Sequence, residues 1–348
     1  HGSATVAVRY DRSPAHLIGE RGDGFRMMLL LMNNARLGVG FESLGIMEAA
    51  HRMAKAYAAE RPAMGKMIER HEMIAAYLEN MQTDIQALRA IAMEGAFHEE
   101  MSQKIRLNMR FMPPASEVEM KKLERELASR QRKARRLTPL VKYMGSERAV
   151  DIARQCIQIH GGYGYITEYG AEKLLRDAMV LPIYEGTSQI QSLMVMKDSL
   201  LGVLKNPKAF FSGFARSLWQ GCFAGDSATR RVARLQRRHH SVLFYLLRRL
   251  AVAKLGGGFG DFLKEWDPKR DFALAMLHAE RLMQISIDVA VCEVLLSQAK
   301  RFPERLDVLE RYIERAEPRC RFLHNEITTT GDRLLGKLAA SDQAAKAS

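Results

Sequence analysis

Cysteine is scarce in this chain of 348 residues, and the four present, Cys156, Cys222, Cys292 and Cys320, are widely scattered. None forms a Cys-x-x-Cys pair, which excludes a disulfide-stapled scaffold and a thiolate zinc site and fits a reducing compartment such as the cytoplasm. Aromatics are also few, at 7%, whereas Leu, Ala, Met, Arg and Glu abound; that balance favours helix over strand. No apolar run of membrane-spanning length is expected, and no secretory leader is visible. An initiating Met is missing: the chain opens on His1, and the simplest expectation is a truncated chain. It enters at once into Ala4-Thr5-Val6-Ala7-Val8-Arg9-Tyr10, whose alternation predicts a strand within 4–18 with no partner nearby in sequence.

What the chain does have is positive charge, net +13, unevenly spread. Residues 1–200 hold 28 basic and 24 acidic side chains; residues 201–348 hold 25 and 16. Between Lys205 and Arg249 ten basic residues stand against one acid, Asp226. There Arg230, Arg231, Arg234, Arg237, Arg238, Arg248 and Arg249 alternate with Leu235, Val242, Leu243, Leu246 and Leu247. Two readings fit: an amphipathic helix on an acidic membrane surface, or the exposed face of a helical domain. No nucleic-acid partner is expected, because no reading element is recognisable. The second basic stretch, 115–136, lacks interleaved aromatics and reads as a solvated helix or mobile insertion.

The apolar spacing predicts a helix over 25–59, broken at Arg61-Pro62, and a second over 66–100, closed by Pro113-Pro114. Further helices are expected over 139–159, 172–179 and 188–204. Beyond Asn206-Pro207 three helical segments are expected, at 208–254, 268–302 and 304–338. Gly256-Gly257-Gly258 separates the first two and Pro303 the last two.

Four segments in fixed order carry a resemblance. They are Leu17-Ile18-Gly19-Glu20-Arg21-Gly22-Asp23-Gly24-Phe25; Tyr57-Ala58-Ala59-Glu60-Arg61-Pro62-Ala63-Met64-Gly65-Lys66; Gln158-Ile159-His160-Gly161-Gly162-Tyr163-Gly164-Tyr165; and Ile183-Tyr184-Glu185-Gly186-Thr187-Ser188-Gln189-Ile190-Gln191. Together, and at about the expected spacing, they resemble the acyl-CoA dehydrogenase family over residues 1–200. The resemblance implies a mainly α fold. Residues 1–24 would end a β-domain, 25–204 would form the family's C-terminal helical bundle with a charged insertion near 101–136, and 205–348 would form a helical extension.

It also implies a reaction: flavin-dependent α,β-dehydrogenation of a fatty acyl-CoA to the trans-2-enoyl-CoA, with electrons passed to an electron-transfer flavoprotein. Glu185 matches the catalytic base. The α-proton of a thioester is weakly acidic, so a carboxylate base serves best when desolvated. The backbone N–H of Glu185 would donate to the thioester oxygen, where fixed donors stabilise the developing enolate. Some family members carry the base on an earlier helix, but the matching Asn33-Asn34-Ala35-Arg36 holds no carboxylate. Arg36 matches an arginine beside the base, and Tyr184 and Gly186 would flank the substrate. Arg61, Gln158, Gly161, Gly162, Thr187 and Gln189 match contacts to flavin adenine dinucleotide (FAD). Three positions depart from the family pattern: Met64 replaces an aromatic residue, Glu72 a glutamine and His160 a phenylalanine. A homodimer or homotetramer is implied, in the cytoplasm, with peripheral attachment to the inner membrane through 205–249 as an alternative. Two other functions stay open on the residues alone: a non-catalytic helical scaffold, and a membrane-surface-binding protein. No metal site is expected.

Overall fold

A computed structural model describes residues 6–255 and 272–347. Helix α1, Gly24–Glu60, forms where apolar residues recur every three or four positions, and buries Leu37, Leu44, Met47, Ala50 and Ala54 on one face. It stops at Arg61, which is extended at φ −85° and ψ 112°, because the following Pro62 disfavours helical backbone before it. Strands β1, Pro62–Ala63, and β2, Lys66–Met67, then pair across a two-residue turn in which Met64 and Gly65 are left-handed, at φ 48° and 81°. Two positive φ values match the twist of a tight hairpin. A 3-10 turn, Ile68–Arg70, leads into α2, Glu72–Phe111. The second helix therefore starts six residues later than the apolar spacing predicts, because the hairpin takes Lys66 and Met67.

Pro113 and Pro114 end α2, and α3 runs from Glu117–His160. The charged stretch 115–136 is mostly the first part of this helix. The strand expected within 4–18 does not form among residues 6–18, which are exposed and carry no ladder; Ala4 and Thr5 lie outside the described residues. A lone strand has no partner to satisfy its backbone groups.

The chain divides into two units. The first comprises residues up to Ile85 together with Val141–Thr187. Here α1 and the C-terminal part of α3 approach closely through glycines. A Cβ on Gly40 would collide with the Val141 side chain, and one on Gly145 would lie 3.0 Å from Ser43 Cβ. The short helices α4, Gly162–Tyr165, and α5, Ala171–Ala178, complete this unit.

The second unit comprises Gln86–Leu140 and the chain from Ser188 onward. It holds α6 (Ser188–Lys205), α7 (Pro207–Phe223), α8 (Ser227–Leu255), α9 (Ala273–Leu277), α10 (Ala279–Ala299), α11 (Arg305–Thr329) and α12 (Asp332–Ala347). Helix α10 packs against α6, α8 and α11, and α7 against α8. By length and composition α10 is apolar enough to cross a membrane, a correction to the sequence expectation. Its Leu282, Met283, Ile285, Val291 and Leu295 are nonetheless the buried centre of this unit.

The tail departs from expectation at two breaks. The helix predicted over 208–254 is two, because Asp226 caps α8: its Oδ1 accepts from the Thr229 N–H at 2.6 Å. The helix predicted over 304–338 breaks at Gly331, φ 111°. Residues 256–271, which include Gly256-Gly257-Gly258 and the start of the helix expected at 268, lie outside the described residues. In α8, Leu235, Val242, Leu243 and Leu246 are buried, while Arg231 pairs with Glu317 at 2.9 Å and Arg249 with Asp332 at 2.5 Å. The apolar stripe that a membrane-surface helix would need is thus taken up by the unit's own core.

The four cysteines are free, and only Cys222 is exposed. Burial pushes the Cys156 thiol up to about 11 and holds Cys292 and Cys320 above the usual thiol range. None of these three is a ready nucleophile.

Candidate active site

Between α5 and α6 the chain makes a series of turns. The N–H groups of Leu181, Ile183 and Tyr184 donate to Ala178 O (3.0 Å), Val180 O (3.0 Å) and Val180 O (3.1 Å). Pro182 prevents these turns from extending into a helix. Then Glu185 and Gly186 are both left-handed, at φ 56° and 90°. For Gly186 this is free; for Glu185 it costs roughly 1–2 kcal/mol. Such strain persists only where the surroundings over-determine the backbone.

Those surroundings come from α1 and α3. Arg36, only 6% exposed, donates from Nε to the Glu185 carbonyl oxygen at 3.1 Å and from Nη1 to Asn33 Oδ1 at 3.3 Å. Burial lowers the affinity of its guanidinium for the proton, and the negative charge of Glu185 opposes that shift. The Tyr184 hydroxyl donates to Glu42 Oε2; desolvation, reinforced by that carboxylate, pushes the phenol well above its ordinary range. Lys142 on α3 is fully buried and donates from Nζ to Leu181 O at 2.9 Å. Burial brings its ammonium down to about 8. The residues expected at the base, Arg36, Tyr184, Glu185 and Gly186, are thus brought together. Lys142 and Glu42 were not expected, since their partners lie 39 and 142 positions away in sequence and no local pattern marks them.

The glycine turn after α3 builds a second site in the same unit. Gly161 has φ 61° and ψ −137°, a conformation open to glycine alone. Its N–H donates to Gln158 O at 3.2 Å. A cavity of about 450 Å³ opens here, lined by Tyr57, Arg61, His160, Gly161, Gly162 and Tyr163 among others. The Arg61 guanidinium lies over the Tyr163 ring at 5.6 Å, and Tyr57 stacks on His160 with centroids 4.4 Å apart. The lining offers one guanidinium, an open glycine face and two tyrosines, and no carboxylate. That set suits a phosphate-bearing group with a flat aromatic part.

Gly164 is different: it is buried by packing. A Cβ there would lie 2.6 Å from Ile157 O and 2.9 Å from His160 Cβ, neither the end of a flexible chain. Gly164→Ala is therefore expected to destabilise the fold by about 1–3 kcal/mol, read as a lowered urea midpoint; an unchanged midpoint would remove this packing argument.

The remaining candidates lie as follows. Gln158 is exposed, and its side chain does not line the cavity. Thr187 is half-buried just before α6. Gln189, in the second unit, donates to Glu280 Oε1 at 3.0 Å. The three departures also find places. Glu72 pairs with Lys66 at 3.6 Å, which offsets its charge. Met64 is the exposed tip of the hairpin. His160 is buried, its Nδ1 2.8 Å from Cys156 O, a structural contact. Among the described residues no cluster could hold a metal ion.

The family described as "Acyl-CoA dehydrogenase, C-terminal domain" matches residues 22–112 and 118–200, half of the chain. An acyl-CoA dehydrogenase of Bacillus subtilis (strain 168) is 32% identical over 205 residues, 58% of this chain and 46% of that protein. A 3-methylmercaptopropionyl-CoA dehydrogenase of Ruegeria pomeroyi is 29% identical over 360 residues, 96% of this chain and 55% of its own length. The crystal structure of an acyl-CoA dehydrogenase complexed with FAD from Bacillus anthracis has the same fold, with a TM-score of 0.66 at 19% identity. It covers 93% of this chain and 53% of its own. The chain spans about half the length of the curated relatives it matches.

Proposed function

The chain belongs to the acyl-CoA dehydrogenase family, and from that premise we propose that it carries the base-bearing part of an enzyme that desaturates acyl-CoA thioesters between the α and β carbons. The observation that carries this reading is Glu185 on its left-handed turn, fixed through its own carbonyl by the buried Arg36. A backbone held in this way gives the carboxylate a fixed point of attachment, and general-base catalysis depends on such placement.

In this reading the Glu185 carboxylate takes the α-proton of a fatty acyl thioester. FAD, when bound, would supply the hydride acceptor for the β-carbon, so that the product is the trans-2-enoyl thioester. The Glu185 N–H donates to the thioester oxygen as enolate charge develops there. Tyr184 and Gly186 border the acyl group. Arg61 would hold the cofactor's pyrophosphate, with Gly161 and Gly162 offering close backbone approach, and Gln158, Thr187 and Gln189 are the further proposed contacts. The proposal extends to an electron-transfer flavoprotein as acceptor of the electrons and to a homodimer or homotetramer as the working assembly.

Two measurements test this. Incubation with FAD, an acyl-CoA panel and an artificial electron acceptor should yield enoyl-CoA by chromatography, and none without FAD; full recovery of every acyl-CoA from the FAD-loaded protein would refute the reading. Arg61→Ala should weaken FAD binding about 10–100-fold, the worth of one hydrogen bond to a charged group, by fluorescence titration. Unchanged affinity would move the pyrophosphate away from this cavity.

A further inference from the structure

We propose that Lys142 is a positioning residue for the base: with Arg36 and Glu42 it clamps the backbone of 181–186 and holds Glu185 in its left-handed conformation. Three anchors reach this short stretch from two helices. Lys142 Nζ takes Leu181 O from α3 at 2.9 Å, Glu42 takes the Tyr184 hydroxyl from α1, and Arg36 Nε takes Glu185 O from α1 at 3.1 Å. They fall at the beginning, the middle and the end of the turn series. Without them Gly186, which adopts either sign of φ, would leave the end of the segment several backbone choices.

Lys142 is the least expected of the three. A fully buried ammonium is costly, and an apolar side chain of the same length would pack at that position with less desolvation. What the lysine supplies is a donor for the Leu181 carbonyl, at a point where the nearby Ile183 and Tyr184 N–H groups both go to Val180 O. It also supplies positive charge: Glu147, Arg36 and Glu185 are the ionisable groups that act on it. Below its lowered pKa of about 8 the side chain is protonated, and Lys142 and Arg36 together set a positive field behind the Glu185 backbone. The link to catalysis rests on the dehydrogenase reading; the clamp itself does not.

The test separates the two. Hydrogen exchange read by mass spectrometry on the purified chain needs neither cofactor nor substrate. Lys142→Met is expected to speed exchange of the amides at 183–187 at least tenfold, with protection in α10 and α11 unchanged. Lys142→Arg, which keeps a charged donor, should restore most of the protection. If Lys142→Met does not fold, Lys142→Gln carries the test, with a neutral donor too short to reach Leu181 O and the same local loss expected. Unchanged exchange at 183–187 in a folded Met or Gln variant would overturn the clamp. In parallel, FAD-loaded wild type and Lys142→Met are mixed with an acyl-CoA. A lower maximal rate of flavin reduction with little change in substrate affinity links the clamp to the base. Loss of local protection with an unaltered rate would refute that link while leaving the clamp standing, and a wild type that never reduces its flavin would sink only the dehydrogenase reading.

Discussion

Glu185→Gln is expected to slow acyl-CoA-dependent flavin reduction by about 10²–10⁴-fold, the usual contribution of a positioned general base. Gln keeps the size and the hydrogen-bonding oxygen but cannot take a proton. The Arg36 Nε bond goes to the Glu185 backbone carbonyl, which the substitution keeps, so the turn should survive. The melting temperature should therefore stay within a few degrees of wild type while activity collapses. Glu185→Asp is a sharper control, because it keeps the carboxylate and withdraws it by one methylene. Its activity should fall between those of wild type and the Gln variant. A Gln variant as fast as wild type would place the base elsewhere.

The largest stability effect is expected in the second unit, far along the chain from this chemistry. Asp288 in the middle of α10 is 1% exposed. Arg319 donates to both of its oxygens at 2.9 and 2.5 Å, the Tyr312 hydroxyl donates at 2.9 Å, and Cys320 Sγ lies 3.3 Å away. Together these fix α11 on α10. Removing one partner of a buried pair costs more than the pair is worth, because the other charge loses its compensation. Arg319 is a quarter exposed and can partly recover water, so the estimate belongs near the low end. Asp288→Ala should cost about 3 kcal/mol, seen as an earlier urea transition of this unit. Arg319→Met added to it should recover part of the loss; a double variant no more stable than the single one would mean that packing, not charge, dominates there.

Much of this molecule is legible without coordinates, and the reasons differ by element. Helix α1 shows in its apolar spacing and ends at Arg61 because a proline follows. The short α5 and α6 sit between clear glycine and proline signals. The start of α2 was not legible as helix, because Lys66 and Met67 belong to a hairpin whose turn needs Met64 in a left-handed conformation, which methionine rarely adopts. The break at Asp226 was legible in principle, since an Asp three residues before a backbone N–H is an N-cap signal, but the basic run around it draws attention to charge instead. Alternation at 6–10 misleads, since a strand is defined by its partner.

For the site the division is sharper. Glu185, Arg36, Arg61 and the paired glycines are marked by local sequence. Lys142 and Glu42 are marked by nothing local: each matters through a carbonyl or hydroxyl far along the chain. The arginines of α8 show the converse. Their density suggests a surface for lipid, but Leu235, Leu243 and Leu246 between them are buried in the unit's own core.

The most direct test of the central claim is a visible absorption spectrum of the FAD-reconstituted protein, taken before and after anaerobic addition of an acyl-CoA panel. The account predicts that the oxidised flavin band bleaches with at least one acyl-CoA in wild type and persists in Glu185→Gln. A bound flavin whose band persists with every acyl-CoA, or one that bleaches equally in both proteins, would contradict it.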